Sequence, residues 1–292
     1  MSHLIDFFSY HWRMNQQTQQ DFINMVEKMP PFPKSAHRIM ELAADINCNP
    51  KDLVQVIEHD PVITMKLLKL VNSAFFSLAR EITSIRHALV YLGLNTVKNL
   101  ALSIATIQAI PHKKLDNFNT HHFLLHALTT ASIAQRIVHR FDSKLDPGDA
   151  FIAGLLHDFG KMVFAQFSPD AFAKAIDLSQ QKQQSLHLSE QEILGMDHAE
   201  IGGLLAEKWE LPQELIQCIR NHHQNIQTPL HNAIFVANQI SKQLNFGQGG
   251  NPVIEPLPEH IEEVLGMNLL MFIDSLDGLS KEAAKAKEFI DI

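Results

Sequence analysis

Apolar residues recur at helical spacing along nearly the whole sequence, and this periodicity constrains the fold more than any other feature. Three dipeptides mark helix starts, each a capping side chain followed by proline at the first helical position, where the missing N–H does no harm. Asn49-Pro50 leads into Leu53, Val54 and Ile57, and Asp60-Pro61 into Ile63, Leu67, Leu70 and Val71. Asp146-Pro147 opens a helix that ends at His157-Asp158. No segment alternates with the clean period of two expected of a strand, and the breaks fall at Pro, Gly and Asn. The sequence predicts an all-α protein without repeats or low-complexity segments.

A chain of 292 residues suffices for one large domain or two lobes sharing a core. The predicted organisation is an N-terminal helical arm over residues 1–20, a helical lobe over 21–115 and a second helical lobe over 116–245. A loop and C-terminal helices over 246–292 are expected to pack back on the body. The polar stretch Pro111 to Asn119 marks the lobe boundary, and Phe246 to Pro258, rich in Gly, Pro and Asn, reads as a loop.

The formal net charge of −8 argues against a nucleic-acid or anionic-membrane partner. Cys48 and Cys218 are far apart in helical patterns, which reads as two buried thiols in a reducing cytoplasm. Phe7, Phe8 and Trp12 are interleaved with Asp6, His11 and Arg13, so no secretory signal is read there. The apolar run from Leu100 to Ile110 is too short to span a bilayer. Residues 1–20 and the C-terminal helix are too short to be sensor domains, so an input is expected from a separate protein, a ligand or a metal.

Residues 85–104 have the outline of a helix-turn-helix. Ile85, Ala88, Leu89 and Leu92 form one face, Gly93 ends that helix, and Asn95 is the expected cap of the next, which continues through Val97, Leu100, Ala101 and Ile104. A recognition helix exposes basic and polar side chains to a groove. The second helix here is mostly apolar, with Lys98 its one cation, so a buried helical hairpin is expected. The stretch from Asp60-Pro61 to Phe76 is a candidate interaction surface or inter-lobe joint, weighed against ordinary core packing.

The chain holds 17 histidines, which favours a metal site and also coincidental patterns. His126 shares a helix face with Thr130, Ile133 and Ile137. His157-Asp158 ends the face of Phe151, Ile152, Leu155 and Leu156, and Gly160 is expected to let the chain turn sharply. Asp197 and Glu200 form a capping box around a helix on which His198 shares the face of Ile201, Leu204, Leu205 and Trp209. Pro212 opens the next helix, with Leu215, Ile216 and Ile219 inward and His222 and His223 at the C-terminal end of that face. Leu230 and Ile234 carry a further face to Asn238.

A single histidine on an apolar face is usually a hydrogen-bonded core residue. His59-Asp60 is a second His-Asp pair, with Asp60 simply a cap, and His121, His122, His139 and His187 read as surface or core histidines. The joint pattern carries the metal reading. Imidazoles and a carboxylate suit Fe, Mn, Zn or Ni, and Asp158 has the two oxygens needed to bridge two ions. A metal-bound water attacks a phosphate ester near neutral pH, and Lys161 would add a further positive charge.

The order His, His-Asp, His, His-His resembles the HD superfamily of metal-dependent phosphohydrolases, and more closely its HDOD (HD-related output domain) branch of bacterial signalling. The resemblance rests on 154–161 (GLLHDFGK), 197–202 (DHAEIG), 209–212 (WELP) and 219–223 (IRNHH). In the first lobe it rests on Phe32-Pro33, Asp60-Pro61, the run Leu67 to Phe75, and Ile85-Arg86-His87-Ala88 to Leu92-Gly93. Together these cover roughly Phe22 to Leu244.

The resemblance implies a two-lobed, all-helical fold and a regulatory module acting on a signalling protein partner or a small phosphorylated ligand. It implies a divalent transition metal, Fe or Mn first and Zn or Ni next, as one or two ions. It assigns His126, His157 and Asp158 as ligands, with His198, His222 and His223 as a second set. The alternative it implies is a phosphohydrolase acting on a nucleotide or other phosphoester, with Asp158 and Lys161 catalytic. Two departures count against turnover. Asn238 stands where catalytic relatives place an aspartate, and Gln224-Asn225-Ile226-Gln227 lacks the Gly-Tyr-Pro signature of cyclic-di-GMP hydrolases. With one carboxylate and five imidazoles, a two-ion site is under-neutralised; a single ion, or a bound anion making up the charge, is expected.

Overall fold

The computed structural model describes residues 20–44, 49–73, 80–108, 118–251 and 253–290. Residues 1–19 of the expected N-terminal arm, Cys48, the end of the Leu67–Phe75 run and most of the stretch Pro111 to Asn119 lie outside these residues. The described residues are helical and contain no strand, and none of their helices is long and apolar enough to cross a membrane.

The first group of helices runs α1 (residues 20–28), α2 (Lys34–Ala44), α3 (Pro50–Glu58), α4 (Pro61–Val71), α5 (Ile85–Leu92) and α6 (Leu94–Gln108). The expected caps set the starts. The Asn49 side chain accepts from the Lys51 N–H, and the Asp60 carboxylate accepts from Val62 and Ile63. Asp60 also accepts the Ser35 hydroxyl at 2.9 Å, so the cap of α4 ties down the start of α2.

Helix α6 begins at Leu94 directly after Gly93, so Asn95 lies inside the helix and is not its cap. Gly93 has φ 81°, a conformation glycine adopts without penalty. Helices α2, α4 and α5 pack around α6, which is buried at every position from Val97 to Thr106, Lys98 included. A helix enclosed on all sides cannot enter a groove; this is the buried hairpin. The inward face of α4 (Ile63, Leu67, Leu70, Val71) is likewise core.

The second group runs α7 (Thr120–Ile137), α8 (Pro147–Leu156), α9 (Gly160–Phe167), α10 (Pro169–Lys182), α11 (Leu186–Leu194), α12 (His198–Lys208), α13 (Gln213–Asn221) and α14 (Pro229–Gln243). Three shorter helices follow, α15 (Glu259–Leu265), α16 (Leu269–Asp274) and α17 (Leu279–Ile290). Helix α7 packs on α8 and α14, α12 on α9 and α13, and α17 along α7. Cys218, on α13, is a buried free thiol that burial pushes up to about 12.

The two groups meet where α6 touches α8. They also meet at Trp209, whose ring lies 4.8 Å from that of Phe32 and whose Nε1–H donates to the Pro30 carbonyl at 3.0 Å. Lys208 donates to the carbonyls of Val26 and Met29 at 3.0 and 2.9 Å. The loop before α2 is thereby anchored to the end of α12.

The close crossing of α9 and α12 positions the site. A Cβ on Gly160 would stand 1.9 Å from the His198 carbonyl oxygen and 2.8 Å from the Gly202 nitrogen. Gly160 is the first residue of α9 and is absent from the positive-φ positions. Its requirement is therefore close approach, and not the left-handed turn expected from sequence. That approach sets the first turn of α12, and with it His198, against His157-Asp158.

Candidate metal centre

His126 projects from α7, His157-Asp158 follow α8, Lys161 is in the first turn of α9, and His198 is the first residue of α12. His222 and His223 follow α13. Asp197 and Glu200 form the full capping box expected of them, which fixes the start of α12 and so the backbone of His198. His126, His157, Asp158, Lys161, His198 and His222 are all buried, and His223 is half-buried.

Asp158 is at the centre. Its Oδ2 lies 3.6 Å from His126 Nε2, 3.5 Å from His157 Nε2 and 2.6 Å from Lys161 Nζ. Its Oδ1 lies 3.1 Å from His198 Nε2 and 3.6 Å from His222 Nε2. One carboxylate oxygen faces each group of histidines. His223 Nε2 is 2.8 Å from His198 Nε2. Two sets of donor atoms are compact enough to share an ion: His126, His157 and Asp158, and His198, His222 and His223.

The outer nitrogens of His157 and His222 are anchored. His157 Nδ1–H donates to the Gly154 carbonyl at 2.8 Å and His222 Nδ1–H to the Ile219 carbonyl at 2.7 Å. Each bond leaves the Nε2 lone pair pointing into the site. His157 Nε2, His222 Nε2 and Asp158 Oδ1 have no hydrogen-bond partner. A buried acceptor left this way costs about 1–3 kcal/mol, yet three converge here. Ligating histidines characteristically have the outer N–H anchored and the inner lone pair free, and this donor set suits Fe, Mn, Zn or Ni. The residues present fit a divalent cation.

The electrostatics agree. Burial alone would raise the Asp158 carboxyl, but His157, the Lys161 ammonium and the adjacent His198 and His222 rings hold it well below the usual carboxylate range. Burial pushes His157 down to about 4 and His126, His198 and His223 well below the ordinary histidine value. The rings are therefore neutral near pH 7, the form that binds metal.

Glu190, on α11, was not singled out from sequence. It is fully buried, its Oε2 accepts the His198 backbone N–H at 2.9 Å, and the same oxygen pairs closely with His198 Nδ1. Burial raises the Glu190 carboxyl well above its ordinary value, and its Oε2 engages His198 Nδ1. Nδ1 is thus occupied, and Nε2 is the nitrogen left facing Asp158. Asp158 is the carboxylate that faces the histidines, and the Glu190 carboxyl stands behind His198. The one signal in the sequence is weak, a glutamate four residues after the inward Leu186.

The loop expected after α14 covers the site. Gln248 N–H donates to the His122 carbonyl at 3.0 Å, and a Cβ on Gly249 would lie 2.8 Å from Asp158 Oδ2 and 3.1 Å from Lys161 Nζ. Farther along, Glu255 accepts the Ser185 hydroxyl at 2.7 Å. His187, read as an ordinary histidine, stacks on His223 with centroids 4.1 Å apart and forms a third compact donor group with His223 and Glu255. Asn238 is buried on α14 with its Oδ1 unpartnered. Lys242, one turn beyond Asn238 at the end of the Leu230–Ile234–Asn238 face, has a buried Nζ without a partner, and burial lowers it to about 8.

The family model described as the HDOD domain matches residues 29–225, about two thirds of the chain. The chain belongs to the HDOD domain family. Three solved structures share the HDOD fold seen here. An HDOD domain protein of unknown function from Geobacter sulfurreducens superposes with a TM-score of 0.77 at 24% identity, over 92% of this chain and 98% of that one. A candidate signal transduction protein from Marinobacter aquaeolei VT8 gives 0.77 at 22%, over 95% and 67% of the two chains. A candidate phosphohydrolase from Shewanella amazonensis SB2B gives 0.69 at 24%, over 92% and 97%. At these identities the likeness establishes the fold. An uncharacterized protein of Treponema pallidum (strain Nichols) is 29% identical over 218 residues, which are 71% of this HDOD chain. The match spans 40% of that relative's length.

Proposed function

We propose that this HDOD chain is a bacterial regulatory module that acts by binding a signalling protein or a small phosphorylated ligand and holds a divalent metal at Asp158. The supporting observation is the carboxylate itself: one oxygen toward His126 and His157, the other toward His198 and His222, with unpartnered lone pairs around it. Fe or Mn is the expected ion. Lys161 already neutralises the Oδ2 side, so the reading favours one ion, on the Oδ1 side. Enclosure favours regulation over turnover, because Asp158 is 1% exposed beneath the Gly249 loop. The proposed lobes are residues 21–115 and 116–245, and the expected setting is a reducing cytoplasm, in keeping with the free thiol of Cys218.

A second reading, hydrolysis of a phosphoester, draws support from Lys161 beside Asp158. Metal analysis after anaerobic purification with Fe or Mn supplied tests the centre, and absence of stoichiometric metal would sink it. A phosphoesterase screen comparing wild type with Asp158→Ala then separates the readings. Activity lost in the variant establishes hydrolysis; a screen without turnover leaves the regulatory module.

A further inference from the structure

Away from the histidines, a cavity of about 360 Å³ lies where α6 of the first group meets α7, α8 and α17 of the second. Its size is that of small-molecule sites, roughly 300–1,000 Å³, and it shares no lining residue with the Asp158 centre.

The walls specify chemistry. Asn99, on the enclosed helix α6, is 6% exposed, yet its Oδ1 has no hydrogen-bond partner and the residue lines the cavity. A buried amide oxygen left so is stabilised by a donor brought in by a ligand. Gln135 adds a second amide, and Phe151 an aromatic ring. Arg136 and Lys285 against Glu282 leave the wall with one net positive charge. Arg136 donates through Nη1 to the Asp277 carbonyl, which orients the guanidinium and leaves it further N–H donors.

We propose that this cavity binds a small anion carrying a planar ring with donor-bearing edges, the class to which nucleoside monophosphates belong. The ring would pack on Phe151 and donate to Asn99, with the anion toward Arg136 and Lys285. Its occupant touches both groups of helices at once, so binding is coupled to how they pack. This gives the regulatory reading a ligand site and does not depend on the metal centre.

The test is calorimetric titration of the full chain with four probes: 5′-AMP, 5′-GMP and the 3′,5′-cyclic forms of each. At least one probe is expected to bind with a Kd of about 100 µM or tighter. Binding should weaken by at least about tenfold in Asn99→Leu and in Arg136→Gln, the loss of one hydrogen bond to a charged or buried partner. Arg136 is exposed at the surface, so its variant remains informative if Asn99→Leu fails to fold. Binding should persist after treatment with EDTA. No probe binding tighter than about 1 mM overturns the proposal. So does binding that survives Arg136→Gln but disappears with EDTA, which would assign the ligand to the metal centre.

Discussion

Lys161 and Asp158 form a buried pair one helical turn apart, with the ammonium nitrogen 2.6 Å from Oδ2. The pair divides the carboxylate: Oδ2 is held by a cation of the protein, and Oδ1 is left to His198 and His222. Removing one partner of a buried pair strands the other's charge, at a cost of about 3–5 kcal/mol. Lys161→Met should therefore destabilise the metal-free protein by about that amount, and added Mn(II) should recover much of the loss by taking up the freed oxygen. Urea unfolding with and without Mn(II) measures both. Equal destabilisation in the two conditions would count against a cation site on the Oδ2 side.

Glu190 acts through His198. Replacing the partner of a ligating histidine typically lowers metal affinity about 10–100-fold. Glu190→Gln should do so here with little change of shape, because the amide keeps an acceptor for the His198 backbone N–H. Competition against a fluorescent chelator reads the affinity. An unchanged constant would reduce Glu190 to a packing residue.

The loop over the site leaves no free space for a side chain at 249. The added methyl of Gly249→Ala would meet Asp158 Oδ2 at 2.8 Å and His126 Cδ2 at 3.2 Å, so the loop must lift or the ligands must shift. The expected result is faster metal loss to EDTA, with the thermal midpoint of the metal-free protein lowered by no more than a few degrees, at roughly 2–4 °C for each kcal/mol lost in a large domain. Unaltered release kinetics would argue that the loop does not close the centre.

Acid should unfold the metal-free protein earlier than its net charge suggests. Burial pushes His157 and His231 down to about 4, whereas an unfolded histidine titrates at about 6.5. Between those values the unfolded chain binds more protons, so stability is full above about pH 6.5 and declines as pH falls toward 4. Each such histidine contributes a slope of up to about 1.4 kcal/mol per pH unit within that window. Asp158, held below its ordinary value, acts in the same direction at lower pH. Denaturant midpoints across the window check the slope; a flat profile would mean that the rings are not buried neutral.

Much of the candidate centre was legible along the chain. Asn49, Asp60 and Asp146 cap the helices they precede, and the spacing of His126, His157, His198 and His222 from apolar neighbours put each on a buried face. Gly160 was legible as a needed glycine, but for the wrong reason. His187 and Glu255 gave no local signal, because His187 was one histidine among many and Glu255 belongs to a segment without periodicity.

Capping and helical periodicity are local, so the sequence by itself determined the all-α class, the starts of the helices at Pro50, Pro61 and Pro147, and the inward turn of His126, His157, His198 and His222. Long-range contact decided the rest. Gly160 against the His198 carbonyl brings α12 onto Asp158, Glu190 reaches His198 from a neighbouring helix, and Gly249 returns over Asp158 from a loop about ninety residues away. Only the packing of those distant segments determines that one carboxylate faces two groups of histidines, because the distances between them are set by helix crossings that no local pattern encodes.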